Sequence, residues 1–150
     1  MVAIHHSLLP DLPPHWSPVC VSRLHFHVTW FTRGRRPVLT GERIPALQSI
    51  LSTLSEELGV RLESVSVLPE KIHMLVSLQP TDCVGSIVRE LKGRSALDLL
   101  AKRPDLRVSL GGNLVWNETY GISTVSPGNL DRRKARLDRI QREVFPGGLA

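Results

Sequence analysis

Two alternating runs, Val60 to Leu68 and Lys71 to Leu78, are separated only by Pro69 and Glu70. Successive side chains of a strand point to opposite faces, so two such runs with a short turn between them predict a β-hairpin. This pair constrains the fold more than any other part of the chain. In its second run Ile72, Met74, Val76 and Leu78 make one apolar face, expected to be buried. Lys71 and His73 share the opposite face. A His-hydrophobe-His strand would aim two imidazoles from those two places at one metal ion. A lysine stands in the first place here, and a protonated lysine repels a cation, because metal ligands are neutral or anionic lone-pair donors.

The rest of the chain supplies partners for that hairpin. Arg23 to Thr32 alternates as a strand, with Phe26, Val28 and Trp30 on one face and His25, His27 and Thr29 on the other. Arg33, Arg35 and Arg36 cluster in the turn after it, around Gly34 and Pro37. From Ile44, apolar residues at 44, 47, 50, 51, 54 and 58 predict an amphipathic helix. Pro45 fits its first turn and Gly59 its C-terminal cap. Asp82 is the expected N-cap of a helix running to about Lys102 and stopped by Pro104. Val84, Ile87, Val88, Leu91 and Leu99 form its stripe, and Gly93 interrupts it at a cost of roughly 1 kcal/mol relative to alanine. Gly111 and Gly112 read as a loop, Leu114 to Val125 as an extended stretch containing a fourth strand, and Ser126 to Asn129 as a turn. A last helix is expected from about Leu130 to Val144, with Leu130, Leu137, Ile140 and Val144 on one stripe. Arg132, Arg133, Lys134, Arg136 and Arg139 line much of its remainder, either as a solvated face or as a phosphate-tracking one.

The order β-α-β-β-α-β-α predicts an α+β fold: a ferredoxin-like or RRM-like antiparallel four-stranded sheet, two helices on one face, and an added C-terminal helix. At 150 residues, 41% of them apolar, the chain is expected to form one domain with a core needing no disulfide or metal. That domain is placed at 21–146, after a flexible leader at 1–20 and before a tail at 147–150. The leader holds four of the eleven prolines and His5, His6 and His15. Cys20 and Cys83 make no disulfide framework, so a reducing cytoplasm is expected. Cys83 lies at a helix start, where a thiolate can be stabilised, though the expectation is a small buried or inert cysteine. No run of about 18 apolar residues predicts a membrane span, and no signal peptide is expected. The formal charge of +5 and pI of about 9.9 favour an anionic partner, nucleic acid first.

Four segments, in order, carry a family resemblance: WFTRGRRPVLTGE from Trp30 to Glu42, VLPEKIHMLV from Val67 to Val76, IVRELKGRS from Ile87 to Ser95, and GGNLVWNETYGISTVS from Gly111 to Ser126. They resemble the single-tyrosine His-hydrophobe-His (HUH) transposases of small bacterial insertion sequences, the insertion sequence 200 type, across roughly residues 22–142. The resemblance implies homodimers that bind single-stranded DNA and recognise hairpins near element ends. It implies a helical tyrosine that attacks a phosphodiester, leaving a phosphotyrosine and a free 3′-hydroxyl. It implies a divalent metal, magnesium or manganese, that polarises the phosphate. Two strand histidines and a helix glutamine would hold that metal.

Transferred residue by residue, His73 takes the place of the second histidine and Gln141 that of the glutamine. Lys71 replaces the first histidine and Glu70 the aspartate before it. The attacking tyrosine falls on Leu137 counting back from Gln141, or on Arg136 counting forward from Trp116, and neither can serve as a covalent nucleophile. Tyr120, the single tyrosine, matches a strand tyrosine that does not attack in the family; a role as substitute nucleophile is the alternative and not the expectation. His25-Phe26-His27 also fits the two-histidine strand pattern; a sheet-surface role is expected for both, and His27 and His73 could share a face of adjacent strands. Arg33, Arg35 and Arg36 match the family's basic turn, and Lys92 and Arg94 flank Gly93 in its helix. With Lys71, Arg132 and Arg133, these make the expected DNA-binding set. Trp30 and Trp116 either stack bases or, as expected, lie in the core. Lys71 could also contact a phosphate directly, in place of part of the metal's charge.

The resulting expectation is a transposase-like, homodimeric protein that binds hairpin-bearing single-stranded DNA, is catalytically inactive, and holds metal weakly or not at all. It would be cytoplasmic, nucleoid-associated when on DNA, with no membrane partner. Two alternatives stand beside it: an active transposase that uses Tyr120, and a structural or interaction domain with no DNA role.

Overall fold

The structure, a computed structural model, describes residues 24–146. The expectations for the leader, His5, His6, His15, Cys20, Arg23 and the tail at 147–150 lie outside the described residues.

Four strands, β1 (Leu24–Phe31), β2 (Arg61–Val67), β3 (Lys71–Leu78) and β4 (Gly121–Val125), form one antiparallel sheet in the order β2-β3-β1-β4. The predicted hairpin is β2–β3, closed where the Leu68 N–H donates to the Lys71 carbonyl at 2.8 Å. Helix α1 (Arg43–Glu57) follows β1, α2 (Val84–Lys102) follows β3, and α4 (Leu130–Val144) ends the fold. This is the expected ferredoxin-like arrangement. Its sheet order follows because each βαβ crossover joins parallel strands that flank a third.

Alternation decides which side chains meet the helices. Val28, Trp30, Ile72, Met74, Val76 and Leu78 enter one core with Leu47, Leu51 and Leu54 of α1 and Val88, Leu91 and Leu99 of α2. Trp30 and Trp116 are both buried there and meet edge to face at 5.9 Å. They are core residues and not base-stacking platforms; the Trp116 Nε1–H is spent on Ser95 Oγ at 3.1 Å. On the opposite sheet face Leu75 and Val125 are covered by Leu137 of α4, flanked by Leu130 and Ile140. Strand β3 is thus apolar along one face, while the other face carries Lys71, His73 and Ser77 with Leu75 between them under α4.

Several boundaries differ from expectation. The residue before α2 is Cys83, and Asp82 does not cap it: its carboxylate accepts from the Gln79 N–H at 2.8 Å and closes the preceding turn. Cys83 itself is exposed, not buried, and hydrogen bonds from Ser86 hold its thiol below the usual range. A short helix, α3 (Leu106–Leu110), precedes Gly111; at five residues it is too short to show a helical period. The fourth strand is confined to its last five residues, with a single bridge between Thr32 and Trp116 upstream. Gly121 opens it because a Cβ there would lie 2.9 Å from Thr29 Oγ1 on the paired strand. Gly93 meets no neighbour within 4 Å, so no close backbone approach explains it. Among the described residues, no helix is long and apolar enough to cross a membrane.

Candidate nucleic-acid interface

The polar half of the sheet face that α4 leaves open carries the site. Register places Phe31 opposite Lys71, Thr29 opposite His73 and His27 opposite Leu75, all on that face. His27 and His73 are therefore diagonal neighbours on adjacent strands, a separation that ring side chains span. Their rings lie 5.1 Å apart, with His27 Nε2 2.9 Å from His73 Nδ1. From α4, an Arg133 guanidinium nitrogen reaches His27 Nδ1 at 2.7 Å.

This chain of contacts dictates where the protons sit. Arginine is only a donor, so His27 Nδ1 accepts and His27 carries its proton on Nε2. That N–H donates to His73 Nδ1, and His73 in turn carries its proton on Nε2. Both rings are held neutral. Burial lowers the pKa of His73 to about 4, with His27, Lys71 and Arg136 adding to the effect. Burial likewise lowers that of His27, reinforced by Arg133, Arg136 and Lys71.

A divalent metal does not fit this arrangement. Binding at His73 needs a bare ring nitrogen, yet Nδ1 is engaged and Nε2 is protonated. Moving the proton would set the His27 Nδ1–H against the Arg133 N–H, donor facing donor. The charges that act on the pair, those of Lys71, Arg133 and Arg136, are all positive. Among the described residues, no three His, Cys, Asp or Glu side chains come together as a metal cluster. Gln141 is turned elsewhere. Its Oε1 accepts from the Val67 N–H at 2.5 Å and from Gln48 Nε2 at 2.9 Å, and its Nε2 donates to the Val67 carbonyl at 3.0 Å. Val67 belongs to β2, which is an edge strand among the described residues, with no further described strand for its outward backbone groups to pair with. Gln141 supplies what that strand would, and its oxygen has no lone pair left.

His25 is likewise occupied, its Nδ1 2.5 Å from Ser77 Oγ, which donates to Glu63 at 3.0 Å. His25 and His27 therefore take separate partners instead of chelating together. Leu137 is buried, whereas Arg136 is exposed and close enough to act on both imidazoles. Of the two positions expected for the lost tyrosine, only Arg136 faces the site. Tyr120 lies on the other sheet face, half-exposed near Gly85, Phe26, Val84 and Ile122, so the sheet separates it from His73.

The basic residues divide in the same way. Arg33 and Arg35 are exposed in the turn after β1. Gly34 and Arg35 both adopt left-handed backbone angles, φ 64° and 54°, and that bend places the Arg35 guanidinium 4.1 Å above the Phe31 ring. Lys71 approaches the same ring, its Nζ 5.8 Å from the centroid. Arg36 is tied to the Leu110 carbonyl at 2.6 Å. Lys92 is engaged within the fold, donating to the Asn117 and Thr119 carbonyls at 2.6 and 3.2 Å. Arg94 pairs with Glu57. Arg132 is exposed on α4. The sequence singled out neither Phe31 nor the Arg133–His27 contact. Phe31 shares the strand parity of His27 and Thr29, the one local signal that could have found it.

A family model described as IS200-like transposase matches residues 20–135. The matched span closes just short of Arg136, Leu137 and Gln141. The ISDra2 transposase TnpA of Deinococcus radiodurans is 34% identical over 106 residues, 71% of this chain and 76% of that protein. The transposase for insertion sequence element IS200 of Salmonella typhimurium is 32% identical over 100 residues, 67% of this chain and 66% of its own length. Among solved structures, a Deinococcus radiodurans R1 chain assigned as a transposase superimposes with a TM-score of 0.70 at 27% identity, covering 84% of this chain and 97% of that one. A REP-associated tyrosine transposase bound to a REP hairpin gives 0.55 at 16% identity, covering 92% and 76%, a likeness of fold alone.

Proposed function

The chain belongs to the IS200-like transposase family, and from that premise we propose that it is a DNA-binding member that holds hairpin-bearing single strands as a homodimer and has lost strand cleavage. The observation that carries this reading is the Arg133–His27–His73 chain. It occupies the lone pair a metal would need and leaves a cationic surface where the family's chemistry would place a metal. Arg136 and Leu137 stand where the attacking tyrosine is expected, and neither can form a phosphoester with the strand. Loss of a nucleophile lowers rate by several orders of magnitude but leaves charge-driven binding intact.

Binding in this reading uses Arg33, Arg35, Lys71, Arg132 and Arg133. Lys92 and Arg94 contribute to the fold instead, since their charged ends are already partnered. Tyr120 as a substitute nucleophile is disfavoured by its place across the sheet from His73.

Two measurements test the proposal. Fluorescence anisotropy of a hairpin-bearing single strand should show an affinity whose logarithm falls by about 0.7 per contacted phosphate for each log unit of salt. Incubation with that strand and magnesium or manganese should leave no protein–DNA adduct on a denaturing gel. An adduct would overturn the loss of cleavage. Absence of salt-sensitive binding by the folded protein would leave an interaction domain with no DNA role.

A further inference from the structure

We infer that the open half of the sheet face is a metal-free phosphate site: the His73 Nε2–H, the Lys71 ammonium and the guanidiniums of Arg133 and Arg136 together take the non-bridging oxygens of one phosphodiester. The inference rests on the DNA-binding reading above and says which atoms of the strand are held, and where.

Three features of the site point to an anion. First, the proton order forced by Arg133 makes His73 Nε2 a donor, and that N–H has no partner among the described residues. Second, donors are what phosphate oxygens accept, whereas a cation needs the lone pair that this order removes. Third, Lys71 sits in register two residues from His73 on the same face, half-buried against Phe31. Its ammonium approaches the Phe31 ring, and its charge acts on the imidazole of His73. The substitution that destroys a two-histidine metal strand adds a fixed positive charge at the same place.

The same residues define a path. Arg35 lies over one part of Phe31 and Lys71 approaches the same ring. His73 follows on β3, His27 beside it, and Arg133 closes the line from α4. A single strand leaving the basic turn would meet cations along this line to the first half of α4. Successive phosphates of an extended strand can follow such a track, and their contacts are salt-sensitive.

The test uses the full chain, free of added metal, with histidine nitrogens observed by long-range proton–nitrogen NMR at neutral pH. Both rings should carry their proton on Nε2. Inorganic phosphate is the probe. It should shift the His73 Nε2 resonance in the presence of a chelator, and manganese should not broaden that resonance. Lys71→Gln should weaken binding of a hairpin strand about tenfold, as befits loss of a hydrogen bond from a charged donor, and reduce the salt slope by about 0.7. Manganese broadening of His73, or a Lys71→Gln strand affinity unchanged from wild type, would overturn the inference while leaving the DNA-binding reading intact. Phosphate shifts at His73 with no strand binding would have the opposite meaning: the anion site stands and the DNA reading falls. If Lys71→Gln proves unfolded, Lys71→Arg serves instead: it keeps the charge and should preserve the phosphate shift, and a lost shift counts against the site.

Discussion

Replacing Gln141 by leucine separates a structural glutamine from a metal ligand. In the wild-type fold its amide makes three hydrogen bonds, two to the Val67 backbone and one to Gln48, in a buried setting. Leucine fills a similar volume and makes none of them. The Val67 N–H, the Val67 carbonyl and the Gln48 amide all lose a partner. A buried polar group left unpaired costs about 1–3 kcal/mol. Val67 lies on an edge strand, where water can reach a loosened backbone, so the low end applies, and three groups at about 1 kcal/mol give about 3 kcal/mol. A chain of this length then melts roughly 6–12 °C lower, from about 2–4 °C per kcal/mol. The assay is urea unfolding followed by circular dichroism: the midpoint falls while the slope stays constant, because the exposed surface is unchanged. Gln48→Ala should cost about 1 kcal/mol, since Gln141 keeps both bonds to Val67. A Gln141→Leu loss below about 1 kcal/mol would refute the edge-capping role. Stabilisation of the wild type, but not of the variant, by manganese would restore Gln141 as a ligand.

Three more outcomes follow from the same geometry. Leu137→Tyr should destabilise by about 1–3 kcal/mol through overpacking against Leu75 and Val125, read as a lower melting temperature, and should yield no DNA adduct because the side chain faces the core; an adduct would reverse the placement of Arg136. The folded pKa values of His27 and His73 are depressed below the unfolded value of about 6.5, so the unfolded chain binds more protons between that value and about 4. Stability is full above the unfolded value and falls as pH drops through that window, so the urea midpoint should be lower at pH 5 than at pH 7, and His73→Gln should reduce the difference; an equal slope in the variant would count against the neutral pair. Lys92→Met should lower stability by about 1–2 kcal/mol, because the Asn117 and Thr119 carbonyls lose a charged donor, while the salt slope of strand binding stays unchanged; a reduced slope would put Lys92 on the DNA.

Local pattern carries much of this fold. The β2–β3 hairpin, the extents of α1 and α4, and the inward faces of β1 and β3 follow from period-2 and period-3.6 patterns, because alternation along one element depends only on that element's geometry. The lysine at 71 and the absence of a tyrosine near Gln141 are equally legible, being matters of identity. Asp82 does not cap α2, because its carboxylate accepts from the Gln79 N–H and is spent in the turn.

Only the tertiary structure decided which of these side chains meet. His27 and His73 are 46 residues apart, and nothing local says that β1 and β3 are neighbours in that register. Nor does the sequence say that Arg133 reaches His27, that Gln141 turns to the β2 edge, or that Tyr120 lies across the sheet from both. Long polar side chains take the partners that packing brings within reach, so their roles depend on topology and not on pattern. The residue types alone put a lysine, Lys71, where the resemblance expects the first of two strand histidines. The packing of α4 over the sheet determines what occupies that face: two neutral imidazoles in a fixed proton order, ringed by cations.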